Sequence, residues 1–296
     1  MLGFANFVMK GPYQALIAAV LLSILTIWIA PLGILVGAII GLVTLRVGVV
    51  DGFKVLLWSM LANLGLTAAL TGSYLPALVS IVEFMLPIWL LAVVLRNTNS
   101  LAKTLQLAMI LVGLGVIGFY LMVSNPAEWW LALFNQQIKP VFEAAQLEYS
   151  AETIEKLTGM VTMLLASFVL VLWFSIVMTA RWWQGSLYHP GQFKKDFYQL
   201  ALPKNVAYVA ILLAILAVIF GNEQGIIFDL SGIVISALMF QGLAIAHQTV
   251  AVKKLHNAWL VSLYVALILF PQVMLILATI GLLDIWSDFR SRWKQD

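Results

Sequence analysis

The sequence predicts an all-α membrane protein, in which a polytopic bundle of transmembrane helices forms one domain over residues 1–296. Hydrophobic residues make up 63% of the chain and charged residues only 10%, and the mean hydropathy is +1.02. A soluble protein of 296 residues cannot hide that much apolar surface, so the bilayer must solvate part of it. The apolar residues also cluster into segments that suit a membrane core about 30 Å thick. The nine segments are Pro12–Ala30, Leu32–Val50, Val55–Thr71, Pro76–Leu95, Leu101–Val123, Gly159–Ala180, Val206–Phe220, Ile226–Val252 and Ala258–Leu283.

The number of crossings depends on three of these segments. Arg46 interrupts the second segment and shortens it, and Val206–Phe220 is also short. Pro271 interrupts the last segment and lets it return as two half-helices, because proline removes a helical hydrogen bond. The sequence therefore predicts eight or nine membrane segments, and with eight crossings the C-terminus lies inside.

Basic residues predict the orientation of the bundle. When successive loops alternate sides, 11 of the 16 Lys and Arg residues fall on the side that holds Lys10. The opposite loops contain only Lys139 and Lys156, and the remaining three basic residues lie in the tail. Since basic residues accumulate in cytoplasmic loops, we expect the N-terminus in the cytoplasm. The first ten residues contain one base and no A-x-A cleavage site, so we expect no removable signal peptide.

Two long loops have compositions of their own. The outer acidic loop, residues 124–158, has five acids and two lysines, and Ser150 before Ala151 and Glu152 is typical of a helix start. We interpret this loop as a short solvated helix on the outer surface, with an external binding lid as the alternative. The inner basic aromatic loop, residues 181–204, is typical of an interfacial stretch attracted to anionic lipid. A docking site for a partner protein is the alternative there.

The sequence argues against most enzyme classes. It contains no Cys, which excludes disulfides and thiolate metal sites, and its three His residues are too scattered for a ligand motif. It contains no P-loop, no H-E-x-x-H and no G-x-S-x-G motif. The basic pI near 9.1 is explained by inside-facing loop charge. We therefore expect a protein that is not an enzyme and that uses no cofactor, no metal and no nucleic acid.

Four polar residues inside the apolar segments are candidates for binding a ligand. Glu83 is the only acid or base deep inside such a segment, where an unpaired carboxylate costs several kcal/mol. Asn63, Gln241 and Gln272 lie in other segments, and side chains of this kind turn away from lipid. The candidate site is a cavity near Glu83 formed with these amides. The alternative for the amides is hydrogen bonding between helices, about 1 kcal/mol each.

Small residues four apart predict close helix packing. Gly33, Gly37 and Gly41 form a G-x-x-x-G-x-x-x-G ridge in the second segment, and Ala15 and Ala19 form a similar pair in the first. Small residues at this spacing let two backbones approach closely. The ridge either packs inside the protein or presents a face to the helices of a membrane partner.

The beginning of the chain resembles a known family. Ala15-x-x-x-Ala19, the Pro31-Leu32 opening of the second helix and the turn Arg46-Val-Gly-Val-Val-Asp-Gly52 follow one another in order. This order looks like the substrate-binding S components of energy-coupling-factor vitamin transporters, over about the first 120 residues. The resemblance implies an S-component-like core with a central cavity, a bacterial inner-membrane location and an energy-coupling module as partner. The chain departs from S components in having two or three more helices.

Other parts of the chain look like the YybS-like family of uncharacterised bacterial integral membrane proteins. This resemblance covers nearly the whole chain and implies no agreed activity. The stretches that carry it are Glu83-Phe-Met-Leu-Pro87, Phe240-Gln-Gly-Leu-Ala-Ile-Ala-His247 and Gly281-Leu-Leu-Asp-Ile-Trp-Ser-Asp-Phe-Arg290.

Together these features favour a transport-related protein in the bacterial inner membrane. It would bind a small molecule in a bundle cavity near Glu83. A membrane scaffold, which recruits proteins through the glycine ridge and the inner loop, is the alternative. A lipid-modifying enzyme is disfavoured because no paired catalytic groups are visible.

Overall fold

Helices joined by short turns account for the whole secondary structure. The computed structural model describes residues 2–220 and 225–292, without the side chains of Glu83, Ser291 and Arg292, and these residues form helices and no strand. The all-α prediction is confirmed. The chain divides into two compact units. Unit 1 comprises Met1–Ala108 and Leu172–Leu200, and unit 2 comprises Met109–Val171 and Ala201–Asp296.

Two helices, α7 (Leu101–Met122) and α10 (Ala151–Tyr188), contribute one end to each unit. The other helices of unit 1 are α1 (Leu2–Val8), α2 (Pro12–Leu25), α3 (Gly33–Arg46), α4 (Val49–Thr71), α5 (Leu75–Ser80), α6 (Leu86–Thr98) and α11 (Gln192–Tyr198). Those of unit 2 are α8 (Pro126–Leu133), α9 (Lys139–Ala144), α12 (Lys204–Phe220), α13 (Ile226–Val252), α14 (Ala258–Leu269), α15 (Gln272–Ser287) and α16 (Phe289–Arg292).

Helix α3 forms the core of unit 1. Every residue from Val36 to Leu45 is buried, and α2, α4 and α6 pack around it. At its C-terminal end, Arg96 Nη1 donates to the carbonyl oxygens of Thr44 (2.9 Å) and Leu45 (2.8 Å). The guanidinium places positive charge at the negative end of the helix, where it is stabilising. Arg96 thus provides hydrogen bonds to carbonyl groups in the last turn of α3, which have no partner within the helix.

Helix α13 forms the core of unit 2. Its side chains are buried from Ile233 to Val234 and again along Ser236–Ile245, and α12 and α15 pack against it. Its low amphipathicity explains this position, because a helix that is apolar on all sides must be surrounded by other apolar groups.

Several helices are long and apolar enough to span a membrane. Within the described residues, α4, α7, α10 and α13 meet this condition, and α1 with α2 adds a fifth span if the pair, bent by 119°, crosses as one. Shorter apolar helices of 10–17 residues are Ala30–Arg46, α6, α12, α14 and α15. The prediction of several apolar membrane helices is confirmed, whereas the number of eight or nine is not.

Breaks in the backbone divide two of the predicted segments. A π-helical turn, Ile81–Met85, separates α5 from α6 within the fourth. In the last, α14 ends before Phe270, whose backbone is extended (φ −129°, ψ 96°), and α15 begins after Pro271. The proline ring disfavours the helical conformation at the preceding residue. The interruption predicted at Pro271 is therefore confirmed.

The outer acidic loop is largely helical. Asn125 caps α8 by accepting a hydrogen bond from the backbone N–H of Glu128, and the Trp130 indole donates to Thr162 Oγ1 of α10 (2.9 Å). Ser150 Oγ accepts from the Thr153 N–H (3.4 Å), which confirms the helix start predicted there. That helix is not short, because it continues as α10 to Tyr188.

Candidate functional site

Helices α13 and α15 cross in backbone contact. A Cβ atom added at Gly242 would collide with the carbonyl group of Leu277, and one added at Gly281 would collide with the carbonyl oxygen of Leu238. Neither obstacle is a flexible side chain that can move aside. The crossing therefore requires glycine on both helices, as in other close pairs of membrane helices.

A buried polar cluster lies beside this crossing. Asp284 Oδ2 accepts from Arg290 Nη2 (2.6 Å) and from Gln241 Nε2 (2.9 Å). Asp284 Oδ1 accepts from the Phe289 backbone N–H (3.1 Å), and Gln241 Oε1 accepts from the Leu202 backbone N–H (2.8 Å). Gln241 is fully buried and Asp284 is 3% exposed. The cluster thus joins α13, α15 and the segment before α12 through bonds that are strong at low dielectric.

Gln241, predicted as a ligand-binding residue, uses both polar ends of its side chain in this cluster. Gln272, another predicted ligand residue, is exposed at the first position of α15. It lies twelve residues from Asp284, or roughly 18 Å along a helix that rises 1.5 Å per residue. The structure therefore does not bring Gln241 and Gln272 together.

The remaining predicted ligand residues belong to unit 1. Asn63 is 5% exposed, and its Nδ2 donates to the Ser23 carbonyl oxygen (2.9 Å) and to Thr26 Oγ1 (3.2 Å). These bonds tie α4 to α2. The side chain of Glu83 lies outside the part of the chain that the structure describes, and its backbone lies in the π-helical turn. π-helical turns occur frequently at functional sites.

The small residues predicted to mediate helix packing all lie in unit 1. Ala15 and Ala19 are buried in α2. A Cβ atom on Gly37 would lie 2.8 Å from Ile88 and 2.9 Å from Ile176, and one on Gly41 would lie 2.8 Å from Ala180. A Cβ atom on Gly33, at the other end of the ridge, would lie 3.4 Å from the Phe84 ring. Recruitment of a partner through these residues stays a prediction.

An apolar groove of about 590 Å³ opens between α13, α14 and α15 of unit 2. Ile245 and Ala246 of α13 form one wall, Trp259 and Ser262 of α14 form another, and Phe289, at the start of α16, also lines the groove. Among the residues that the structure places around it, none is charged. The volume falls within the range of about 300–1,000 Å³ that small-molecule sites occupy.

The wall formed by α14 is loosely attached. None of the residues of α14 is buried. A hydrogen bond joins His247 Nε2 of α13 to the Tyr264 hydroxyl of α14 (2.9 Å). A helix with few buried contacts opens at low free-energy cost.

One buried carboxylate in α13 was not predicted from the sequence. Asp229 is 1% exposed, and the Tyr120 hydroxyl donates to its Oδ2 (2.7 Å). Its Oδ1 has no hydrogen-bond partner among the described residues. Glu83 is thus not the only acid within an apolar segment. The signal was present in the sequence, but an acid in the first turn of a helix is commonly explained by the helix dipole.

The polar cluster and the close crossing of α13 and α15 were not predicted from the sequence either, although their glycines and polar side chains lie in the stretches 240–247 and 281–290. Gln241 and Gly242 belong to one stretch, and Gly281, Asp284 and Arg290 belong to the other. No spacing rule links residues 39 or more positions apart. Only the fold shows that these stretches contact each other.

Comparison with known proteins identifies a family. No curated protein and no solved structure matches the chain. A family model described as a predicted membrane protein, DUF2232, matches residues 16–285. The matched residues include the glycine crossing, Gln241 and Asp284. The chain therefore belongs to the DUF2232 family of predicted membrane proteins.

Proposed function

We propose that this chain is a transport-related integral membrane protein without enzymatic activity, and that it binds a small molecule in the groove of unit 2. The groove carries the proposal. It is large enough for a small molecule and lined by apolar side chains, and α14, one of its walls, has no buried residue. A site that loads through a loosely packed helix suits a ligand that arrives within the bilayer.

The membrane arrangement is part of the proposal. We place the protein in a bacterial inner membrane, with a cytoplasmic N-terminus and eight or nine membrane segments. The basic residues of the sequence support this orientation. Helix α2 and the five shorter apolar helices, with α14 and α15 as the two halves of the last segment, would supply the segments beyond the long ones, since short or broken helices are tolerated where other parts of the protein surround them.

Glu83 marks a second place for a ligand, in unit 1. Its backbone lies in a π-helical turn, which supports a functional role. The resemblance to S components would imply a central cavity in this part of the chain and an energy-coupling module as partner. The groove is the stronger candidate because its volume of about 590 Å³ is large enough for a small molecule.

A membrane scaffold is the alternative function. It requires the glycine ridge to contact helices of another protein. Gly37 already lies against Ile88 and Ile176, and Gly41 lies against Ala180. These contacts favour a small-molecule protein over a scaffold that uses this ridge.

Purification from native membranes in lipid nanodiscs tests the proposal. Ser262 lines the groove, whereas its neighbour Val261 is 62% exposed and does not. Ser262→Trp should fill the groove and release a bound molecule that mass spectrometry detects in the wild type. Val261→Trp, a matched control on the same helix, should retain it. Equal retention by both variants would refute the groove as the site, and a stoichiometric protein without ligand would favour the scaffold.

A further inference from the structure

We infer that the ligand of the groove is an anionic phospholipid, with an acyl chain along α13 and α14 and a phosphate beside Lys253 and Lys254. The inference rests on the proposed function and adds the class of ligand. Two features support it: the apolar lining of the groove and the charge at one of its ends.

The lining suits a hydrocarbon chain. Side chains such as Ile245, Trp259 and Leu263 offer apolar contact, and the hydroxyl of Thr249 bonds to the carbonyl of Ile245 in its own helix. Each methylene group that leaves water strengthens binding roughly fourfold. A ligand with a long apolar part therefore gains more from this groove than a polar metabolite does.

The turn after α13 places two lysines at the end of the groove. The Leu255 N–H donates to the Val250 carbonyl oxygen (2.9 Å), and Lys254 adopts the left-handed conformation (φ 51°) that closes such a turn. Val250 and Leu255 both line the groove, and both lysines between them are exposed. The two lysines therefore follow one lining residue and precede another along the chain, at the turn that ends α13.

The surrounding charge favours an anion. Between Asp229 and Asp284 the sequence contains no acidic residue. Asp284 is bonded to Arg290, and Asp288, beside Phe289, is the exposed carboxylate that the described residues place near this part of α15. Two lysines against one carboxylate leave a net positive charge at the end of the groove.

A bilayer lipid fits these features better than a soluble anion. The groove opens along apolar helices, and Trp259, which lines it, is 65% exposed. Tryptophan is enriched where a membrane protein meets the headgroup region. An anionic phospholipid presents a chain and a phosphate in the same arrangement as the groove and the lysines.

The lysines also have a simpler explanation. Positive charge at the C-terminus of a helix is stabilising and is common at the cytoplasmic ends of membrane helices. That explanation predicts no preference between lipids with different headgroups. A preference for anionic lipid therefore distinguishes headgroup binding by the lysines from simple stabilisation of the helix end.

Native mass spectrometry with defined lipids measures this selectivity. The purified protein is exchanged into phosphatidylglycerol or phosphatidylcholine with identical acyl chains, and the fraction with bound lipid is compared. The headgroup variant is Lys253→Ala with Lys254→Ala. Lys54→Ala with Lys103→Ala is the matched control, because it removes two exposed lysines outside both the groove and the inner basic aromatic loop. Ser262→Trp and Val261→Trp test the groove itself.

We expect the wild type and the Lys54/Lys103 control to prefer phosphatidylglycerol. Each lysine removed from the groove should reduce this preference about fivefold, and Ser262→Trp should release both lipids. Equal binding of the two lipids by the wild type would overturn the inference, as would displacement of phosphatidylglycerol by an equal concentration of fatty acid. If Ser262→Trp abolishes binding but the lysine variant keeps its preference, the headgroup assignment fails and the groove stands. If Ser262→Trp retains lipid as Val261→Trp does, the proposed function fails as well.

Discussion

The ion pair between Asp284 and Arg290 offers the sharpest test of the packing in unit 2. The side chains of Asp284 and Arg290 are 1% and 10% exposed, and the bond between them measures 2.6 Å. Asp284→Leu leaves a buried guanidinium without its carboxylate and removes the acceptor of Gln241 Nε2. Breaking one side of a buried pair costs about 3–5 kcal/mol. We expect a loss of that size in the free energy of unfolding.

Replacing both partners should cost less than replacing one. Asp284→Leu with Arg290→Met removes the stranded charge, and apolar replacement of a whole buried pair is often neutral or stabilising. The free energy of unfolding, measured by steric trapping in bicelles, gives the coupling between the two positions. A coupling energy of about 2 kcal/mol or more is expected for residues in direct contact.

An exposed pair serves as the control. Lys156 and Glu152 are bonded at 2.8 Å, but their side chains are 68% and 76% exposed. Pairs of this kind on a helix surface contribute only about 0.3–0.5 kcal/mol. If Asp284→Leu cost no more than Glu152→Ala, the buried cluster would not exist in the folded protein.

Four further predictions follow from particular residues. A cysteine at Glu148 should react with an impermeant maleimide on intact cells, and reaction only after permeabilisation would reverse the orientation. Gly37→Leu should lower the free energy of unfolding in detergent by about 1–3 kcal/mol, far more than Leu35→Ala, because Ile88 and Ile176 occupy the space that a side chain on Gly37 would need. Asp229→Asn should be tolerated, whereas Asp229→Leu leaves the Tyr120 hydroxyl unpaired and should cost about 1–3 kcal/mol; equal stability would argue against this bond. Glu83→Gln should fold normally, and loss of ligand transport in that variant would indicate a role for the carboxyl proton.

Local chemistry was enough to predict several features of this protein. Pro271 favours the end of α14 because its ring disfavours the helical conformation at Phe270. Ser150 starts α10 because its hydroxyl accepts from a free N–H of the first turn. Each of these features depends on residues within a few positions of one another, so the sequence contains all the information required.

Helix lengths were harder to predict, because apolar composition does not reveal where the backbone bends. The segment Pro76–Leu95 is apolar apart from Ser80 and Glu83, yet the structure places a π-helical turn within it. The acidic end of the outer loop belongs to α10, which continues for 38 residues. In both cases hydropathy indicated the membrane segment but not the bounds of the helix.

The sequence by itself determined that this chain is helical and belongs in a membrane, since 63% hydrophobic residues in long runs leave no other solvent for it. Only the tertiary structure decided what the polar and small residues do. In the sequence, Gln241 looks like a ligand-binding residue, and only the structure shows its Nε2 bonded to Asp284 Oδ2 at 2.9 Å. Gly242 is likewise explained only by the close crossing with the helix that contains Gly281. Such roles depend on contacts between residues about 40 positions apart. Periodicity and propensity describe one helix at a time, whereas these contacts are set by how two helices cross.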